Sequence, residues 1–150
     1  MTNFKQQIVI KYKQQINERI QTFREMIVDL TEDAKNDAKG SAGDKHETTL
    51  AMMHIEQEKL NQKLKEFLGL KNTFDGIDFE QSKTKIGLGS LVLANETYFL
   101  LSVSLPKIEL DNKTIFAISP QAPLAEQLMG KEENQTLTMN NLAYTIHAVL

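Results

Sequence analysis

The chain has 150 residues, 41% hydrophobic and 25% charged, a composition that suits one or two small globular domains. Its net charge of −3 gives no overall basic footprint for nucleic acid, and the lack of cysteine excludes disulfides and thiolate metal sites. The sequence shows neither an apolar signal core nor an apolar run of about 20 residues. We therefore expect a soluble, cytoplasmic, monomeric protein without a membrane association.

Two long helical patterns fill the first half of the sequence. Across residues 4–34, apolar side chains recur every three or four positions, and neither proline nor glycine interrupts them. A second pattern covers residues 44–68, with the polar Gln57 inside its apolar seam, and Gly69 is expected to stop it. Two amphipathic helices joined by a short loop predict an antiparallel helical hairpin, a coiled coil over residues 1–70.

The second half changes period. After a linker at residues 71–84, β-branched and aromatic residues alternate with other residues from position 85 onward. This pattern predicts strands over residues 86–93, 98–105, 108–110, 114–118, 136–139 and 142–149, and a short helix over residues 123–129. Residues 98–105 read as a half-buried strand, and Asn140 and Asn141 tolerate the positive φ of a tight turn. We expect a small, mostly antiparallel β domain over residues 85–150, and an α+β class for the whole chain.

The predicted hairpin tip, near residues 40–48, is acidic. Seven acidic residues and three lysines lie between positions 25 and 47. Asp44 and Glu47 stand three residues apart, on one side of the first turn of the second helix. Two carboxylates suit magnesium, which completes its shell with water, substrate phosphates or a partner's ligands. The same spacing is also that of a capping box, in which each side chain satisfies a free N–H group of the helix.

The stem of the predicted hairpin is basic, in contrast to the tip. Its cations are Lys5, Lys11, Lys13, Arg19, Arg24, Lys59, Lys63 and Lys65. An acidic tip on a basic stem indicates an oriented partner that is positive or metal-containing at the tip end. A solvated helical surface with chance clustering explains the same pattern.

No motif of a self-contained enzyme is present. The sequence has no P-loop, no Gly-x-Ser-x-Gly elbow and no His-x-x-x-His pair. The glycines of Gly87-Leu88-Gly89-Ser90 lack the remainder of any phosphate-binding motif. We therefore expect an accessory or binding protein rather than an enzyme.

Three segments stand out in order along nearly the whole chain: Gly-Asp-Lys-His-Glu at residues 43–47, Gly-Ser-Leu-Val at residues 89–92, and the Ser-Pro and Gly-Lys run of residues 118–131. Together they resemble the Gre family of bacterial transcription elongation factors. Residues 43–47, Gly-Asp-Lys-His-Glu, resemble the tip motif Gly-Asp-x-x-Glu of that family. Residues 89–92, Gly-Ser-Leu-Val, resemble its Gly-Ser-x-Val at the first strand. Residues 118–124 and 128–131 resemble its Ile-Ser-x-x-Ser-Pro-Ile and Leu-Leu-Gly-Lys run. The resemblance implies that the β domain is FKBP-like.

The resemblance also implies a mechanism. In this family the C-terminal domain binds RNA polymerase near its secondary channel, and the coiled coil carries the acidic tip to the active site. There the tip carboxylates help to hold the second magnesium ion, and the polymerase cleaves the 3′ end of a backtracked transcript. By position, Asp44 and Glu47 would be the metal-assisting pair, with magnesium bound only jointly with the polymerase and the nascent RNA reached indirectly.

Two other functions remain open, one because the chain departs from the family pattern and one because the β domain is expected to be FKBP-like. Thr48 stands where the family has Asn, Asn134-Gln135 where it has Gly-Asp, and Ala122 and Ala125 where it has Ser and Gly. One alternative is a channel-binding regulator or inhibitor without cleavage activity. The other is an FKBP-like peptide-binding or prolyl-isomerase module, whose pocket would be lined by aromatic residues.

Overall fold

A computed structural model describes the backbone of residues 1–39, 43–81 and 83–150, and the side chains of these residues outside 37–46. The elements are α1 (Asn3–Lys39), α2 (Gly43–Asp75), β1 (Leu91–Ala94), β2 (Thr97–Leu101), β3 (Leu105–Leu110), β4 (Lys113–Ile118), α3 (Pro123–Leu128), β5 (Thr136–Met139) and β6 (Leu142–Val149). The predicted α+β class, with a long helical hairpin ahead of a mostly antiparallel sheet and one short helix, is confirmed.

Contacts divide the chain into two compact units. The sheet unit comprises residues 1–12 and 73–150, and the hairpin unit comprises residues 13–72. Both α1 and α2 therefore contribute residues to both units. In the part of the chain that is described, no helix is long and apolar enough to cross a bilayer.

The hairpin unit pairs its two helices antiparallel. The rings of Phe23 and Phe67 lie 5.6 Å apart, and the amide of Gln57 donates to the Thr31 hydroxyl at 2.7 Å. Partner numbers on α2 fall as those on α1 rise, which is the mark of an antiparallel pair. Ile16, Ile20, Phe23 and Leu60 are the buried residues of this seam, as the helical spacing predicts.

The expected stop at Gly69 is wrong, because α2 continues through it to Asp75. Residues 71–75, predicted as linker, are its last turns. A glycine costs a helix roughly 1 kcal/mol relative to alanine. Beyond it, Phe74 is fully buried between the rings of Tyr12 and Phe79, at 6.4 and 4.9 Å. Burying such a side chain contributes roughly 1.5–3 kcal/mol, which outweighs the glycine.

The sheet has the strand order β3-β4-β2-β1-β6-β5. All neighbours pair antiparallel except β2 and β4, which are parallel because β4 inserts between β2 and β3. Two-residue turns connect β3 to β4 and β5 to β6. Their central residues, Asp111, Asn112, Asn140 and Asn141, all have positive φ between 53° and 63°, as in type I′ turns.

The strand predicted over residues 86–93 begins only at Leu91, because residues 87–90 form a turn. The Ser90 N–H donates to the Gly87 carbonyl, and the Gly87 N–H donates to the Ser90 hydroxyl, both at 3.0 Å. Gly89 has φ of 90°, and a Cβ there would lie 2.6 Å from the Asp78 carbonyl oxygen. Only glycine satisfies this close approach.

The half-buried strand predicted over residues 98–105 is also wrong: β2 ends at Leu101 and is buried on both faces. One face belongs to the core cluster of Ile86, Val92, Ala94, Phe99, Leu101, Ala125, Leu128, Leu137 and Ile146. On the other face Leu100 is fully buried. There the start of α1 covers the sheet, since Phe4 packs edge-on against Tyr98 at 5.0 Å. The sequence pattern of the strand alone contains no sign of this cover.

Tyr12 fixes α1 to the sheet at the irregularity in the pairing of β3 with β4. Its hydroxyl lies 3.2 Å from each of the carbonyl oxygens of Pro106 and Ile115. Burial raises the pKa of this hydroxyl to about 12, opposed by the backbone N–H groups of Ala117 and Ile108. The hydroxyl thus connects α1 to the backbone of β3 and β4 beside the register shift between Leu105 and Ile108.

Candidate functional site

The two predicted tip carboxylates lie at the start of α2. The helix begins at Gly43, so Asp44 and Glu47 are three positions apart at its N-terminal end, a spacing that puts them on one side of a helix. The Glu47 side chain is exposed to solvent. The side chain of Asp44 and the whole of residues 40–42 lie outside the described residues.

The donor set at this position fits magnesium in part. Two carboxylates supply hard oxygen ligands, and magnesium commonly takes one or two of them from a protein. Within the described side chains, no group of three or more histidine, aspartate or glutamate residues could hold a metal ion. The pair therefore suits an ion whose remaining ligands come from a substrate phosphate, water or a partner protein.

The N-terminal end of a helix favours negative charge, because its free N–H groups and the aligned peptide dipoles are positive there. Asp44 follows the first residue of α2, whereas the residue that caps a capping box precedes the first helical turn. Metal binding and capping make different demands on these side chains. Removal of a cap lowers helix stability, and removal of a ligand lowers only the activity that needs the metal.

Exposed carboxylates continue along the α1 side of the hairpin unit. The side chains of Glu25, Asp29, Glu32 and Asp33 are all exposed. The amide of Gln21 donates to Glu25 Oε1 at 3.1 Å, an i, i+4 contact on the helix surface. The acidity that the sequence predicts for this end of the hairpin is thus carried by side chains in solvent, as far as they are described.

The predicted basic stem needs a correction at Lys5. This side chain is only 2% exposed, and its ammonium donates to the Leu150 backbone oxygen at 3.1 Å. Burial lowers the pKa of Lys5, and the charge of Asp78 acts in the opposite direction. Lys11 also bonds within the sheet unit, to the Glu109 carbonyl oxygen at 2.8 Å. Both lysines belong to the internal contacts of the sheet unit.

The remaining stem cations, Lys13, Arg19, Arg24, Lys59, Lys63 and Lys65, are exposed on the hairpin unit. Arg19 has a specific place there: its guanidinium lies 5.0 Å from the Phe23 ring centre and 5.5 Å from that of Phe67. Sequence reasoning missed this cation–π contact. The i, i+4 spacing of Arg19 and Phe23 was the available signal for the contact with Phe23. The contact of Arg19 with Phe67 depends on the register of the two helices, which the sequence does not reveal.

The segment that resembles the Ser-Pro and Gly-Lys run forms the connection around α3. The Ser119 hydroxyl hydrogen-bonds the side-chain oxygen of Gln121, and α3 then begins at Pro123. Gly130 follows the helix with φ of 80°, and its N–H donates to the Ile86 carbonyl oxygen at 2.9 Å. This glycine therefore has a structural role, because it allows the chain to leave α3 toward residue 86.

The aromatic residues expected to line a peptide pocket are mostly used elsewhere. Phe74 and Phe79 are buried and pack on each other. Phe99, Phe116 and Tyr144 adjoin on one face of the sheet, with Phe116 stacked on Phe99 at 5.9 Å. Phe116, at 37%, is the exposed member of these three.

The chain matches no protein-family model, and a comparison with curated proteins finds no significant match.

Proposed function

We propose that the chain is a Gre-like transcription elongation factor, which binds RNA polymerase and stimulates cleavage of backtracked transcripts. The hairpin unit enters the secondary channel as a single copy, and Asp44 and Glu47 reach the polymerase active site. The factor is not an enzyme, since it activates the nuclease activity of the polymerase. It meets the 3′ end of the nascent RNA only indirectly.

One observation carries this proposal: two carboxylates stand at the beginning of the second helix of a long antiparallel hairpin. The helices have 37 and 33 residues. At ~1.5 Å per residue each is about 50 Å long, much longer than a compact domain requires. A long hairpin is useful where a ligand has to be carried through a narrow passage to a site that lacks it.

The chain's own contribution to the reaction is to supply ligands and to hold them in place. Magnesium shared with the polymerase would stabilise the attacking and leaving oxygens of the cleaved phosphodiester. Glu47 is exposed and offers its carboxylate without unfolding of the helix. The positive N-terminal end of α2 favours negatively charged residues near its start.

Transcript cleavage in stalled, backtracked elongation complexes tests the proposal. The wild-type chain is compared with Asp44→Ala/Glu47→Ala and with a matched control, Asp29→Ala/Glu32→Ala. The control removes two exposed carboxylates at the same i, i+3 spacing on α1. We expect magnesium-dependent shortening with the wild type and the control, and its loss in the tip variant with binding to the polymerase retained.

Three results would contradict this function. Equal cleavage by the tip variant and the wild type would remove Asp44 and Glu47 from the mechanism. No cleavage by any variant, combined with competition against a known cleavage factor, would make the chain a channel-binding regulator instead. Absence of both cleavage and competition would reject polymerase binding, and the resemblance would then concern the fold alone.

A second candidate is a peptide-binding module, which the adjoining Phe99, Phe116 and Tyr144 favour. Aromatic faces of this kind stack on apolar or proline-containing segments. A peptidyl-prolyl turnover that falls on Phe116→Ala and is unchanged by the tip variant would support it. Phe99 is buried and Tyr144 is half-buried, which leaves room for only a shallow site around Phe116.

A further inference from the structure

The helix–helix seam of the hairpin unit is packed unevenly along its length. Ile16, Ile20, Phe23 and Leu60 are buried. On α1 the seam residues nearer the tip, Ile27, Leu30 and Ala34, are only partly buried. On α2 the described seam residues on both sides of Leu60 are partly buried: Leu50, Met53, Leu64 and Phe67. Apolar contact is non-directional, so partly buried apolar side chains specify the register of two helices weakly.

A polar pair lies among these partly buried seam residues. Gln57 occupies a position that the spacing of its apolar neighbours assigns to the seam. Its amide donates to the Thr31 hydroxyl at 2.7 Å, and that hydroxyl donates to the Ile27 carbonyl oxygen at 2.8 Å. The Thr31 hydroxyl is thus held by its own helix and accepts from the facing helix.

We propose that Gln57 and Thr31 are positioning residues that set the register of α1 against α2 and thereby the place of Asp44 and Glu47. A single polar residue in a coiled-coil seam is known to specify register at a cost in stability, because slipped alternatives leave it unpaired. A slip by one turn would displace one helix by about 5.4 Å. The role of the pair in setting the register is independent of the proposed function. Only the expected effect of the register on transcript cleavage rests on that function.

The absence of cysteine allows a direct measurement of the register. Cysteines replace the exposed Glu18 of α1 and Glu56 of α2, and nitroxide labels then attach at these two positions alone. Because Thr31 lies opposite Gln57 in the antiparallel pair, these positions are about 20 Å apart along the hairpin, so a slip of one helix changes the distance between the labels. Pulsed electron spin resonance then gives the distribution of distances between α1 and α2 in the full chain. We expect one narrow distribution in the otherwise wild-type protein.

Gln57→Leu separates register from stability. It extends the apolar seam, so we expect the melting temperature to stay the same or rise by a few degrees. We also expect a second distance population, displaced by up to about 5.4 Å, the rise of one helical turn. Gln62→Leu is the matched control, because Gln62 is an exposed glutamine of the same helix. This control is expected to keep the single distance of the wild type.

Two further variants protect the test against ambiguous results. Thr31→Val removes the hydrogen-bond acceptor on α1, and we expect it to broaden the distance distribution in the same way. This variant does not extend the apolar seam of α2, so it remains informative if Gln57→Leu self-associates through that seam. Thr31→Lys/Gln57→Glu replaces the hydrogen bond by an ion pair at the same positions. It is expected to restore one narrow distance, which loss of packing alone would not predict.

A single, unchanged distance in both Gln57→Leu and Thr31→Val would overturn the proposal. In the cleavage assay we expect Gln57→Leu to lose activity several-fold and the ion-pair variant to regain it. A broadened distance with full cleavage activity would reject the positioning role while leaving the cleavage function standing. A wild-type chain without cleavage would reject the function, and the distance distributions alone would then decide whether the pair sets the register.

Discussion

The sheet unit and the hairpin unit bury their apolar side chains to different extents. In the sheet unit Leu91, Leu100, Leu101 and Ile115 are fully buried, since side chains cover both faces of the central strands. In the hairpin unit Ile16, Ile20 and Phe23 are each at most 5% exposed, and the seam toward the tip is only half-buried. A two-helix seam has one apolar face on each element, whereas a covered sheet has two.

This difference predicts that the two units resist mutation unequally. The first test compares Leu100→Ala in β2 with Leu30→Ala in the distal seam. Loss of a fully buried leucine costs roughly 2–5 kcal/mol of unfolding free energy. Leu30 is only half-buried, so its side chain removes less apolar area from water than that of Leu100. Leu30→Ala should therefore lower the unfolding free energy by about half as much as Leu100→Ala.

The chain offers separate probes for the two measurements. All three tyrosines, Tyr12, Tyr98 and Tyr144, belong to the sheet unit, and there is no tryptophan. Tyrosine fluorescence during urea unfolding therefore follows the sheet unit, and circular dichroism at the helical band mainly follows α1 and α2. Equal losses for Leu100→Ala and Leu30→Ala would contradict the difference in burial.

The next largest effect is expected at Tyr12, which ties α1 to the sheet. Tyr12→Phe keeps the ring and removes the hydroxyl, so the carbonyl groups of Pro106 and Ile115 lose a buried donor. A buried polar group left without its partner costs about 1–3 kcal/mol. Tyr98→Phe is the control, because the Tyr98 ring is only partly buried. If Tyr98→Phe lowered the unfolding free energy as much as Tyr12→Phe, the hydrogen bonds of the Tyr12 hydroxyl would not explain the effect.

The sequence predicts elements best where local signals and packing agree. β5 and β6 occupy the predicted ranges, because Asn140 and Asn141 mark the turn and the flanking residues are β-formers. The sequence-based prediction fails at Gly69, because the burial of Phe74 farther along α2 outweighs the local signal for a helix stop. Burial of a residue such as Phe74 depends on contacts distant in the sequence.

The candidate site also shows that local features can be predicted from the sequence and contacts between distant residues cannot. The acidic pair and its place at the start of α2 could be predicted, because helix spacing and the Gly43-Asp44 motif are local features. The burial of Lys5 and the contact of Gln57 with Thr31 could not. Lys5 meets Leu150 from the opposite end of the chain, and the Gln57 contact depends on how two helices slide past each other.

Lys5 makes the stability of the sheet unit depend on pH. Its pKa is lower in the folded chain than in the unfolded chain, because burial disfavours the ammonium. Between the two pKa values the unfolded chain binds more protons, so the unfolding free energy should rise with pH in that range. The rise cannot exceed about 1.4 kcal/mol per pH unit for one proton.

Urea unfolding at a series of pH values approaching the ordinary lysine pKa of about 10.4 would detect this rise, and Lys5→Met should abolish it. Lys13→Met, at an exposed position of the same helix, should keep it. At higher pH Tyr12 acts in the opposite sense. Its folded pKa is raised to about 12, so its contribution to stability is lost as the pH climbs above the ordinary tyrosine value toward 12. A wild-type profile without any rise would contradict the lowered pKa of Lys5.

The smallest expected effect is a gain in the hairpin unit at Gly69. This glycine lies inside α2, and a Cβ added there would meet nothing within 4 Å. Gly69→Ala should therefore raise the unfolding free energy by about 0.5–1 kcal/mol, because the unfolded chain loses conformational freedom and the helix gains propensity. Gly89→Ala is the opposing control, since its Cβ would lie 2.6 Å from the Asp78 carbonyl oxygen. The helical circular dichroism band should register the gain at Gly69, and tyrosine fluorescence should register the loss at Gly89. A destabilised Gly69→Ala would mean that α2 needs glycine here for a reason other than space.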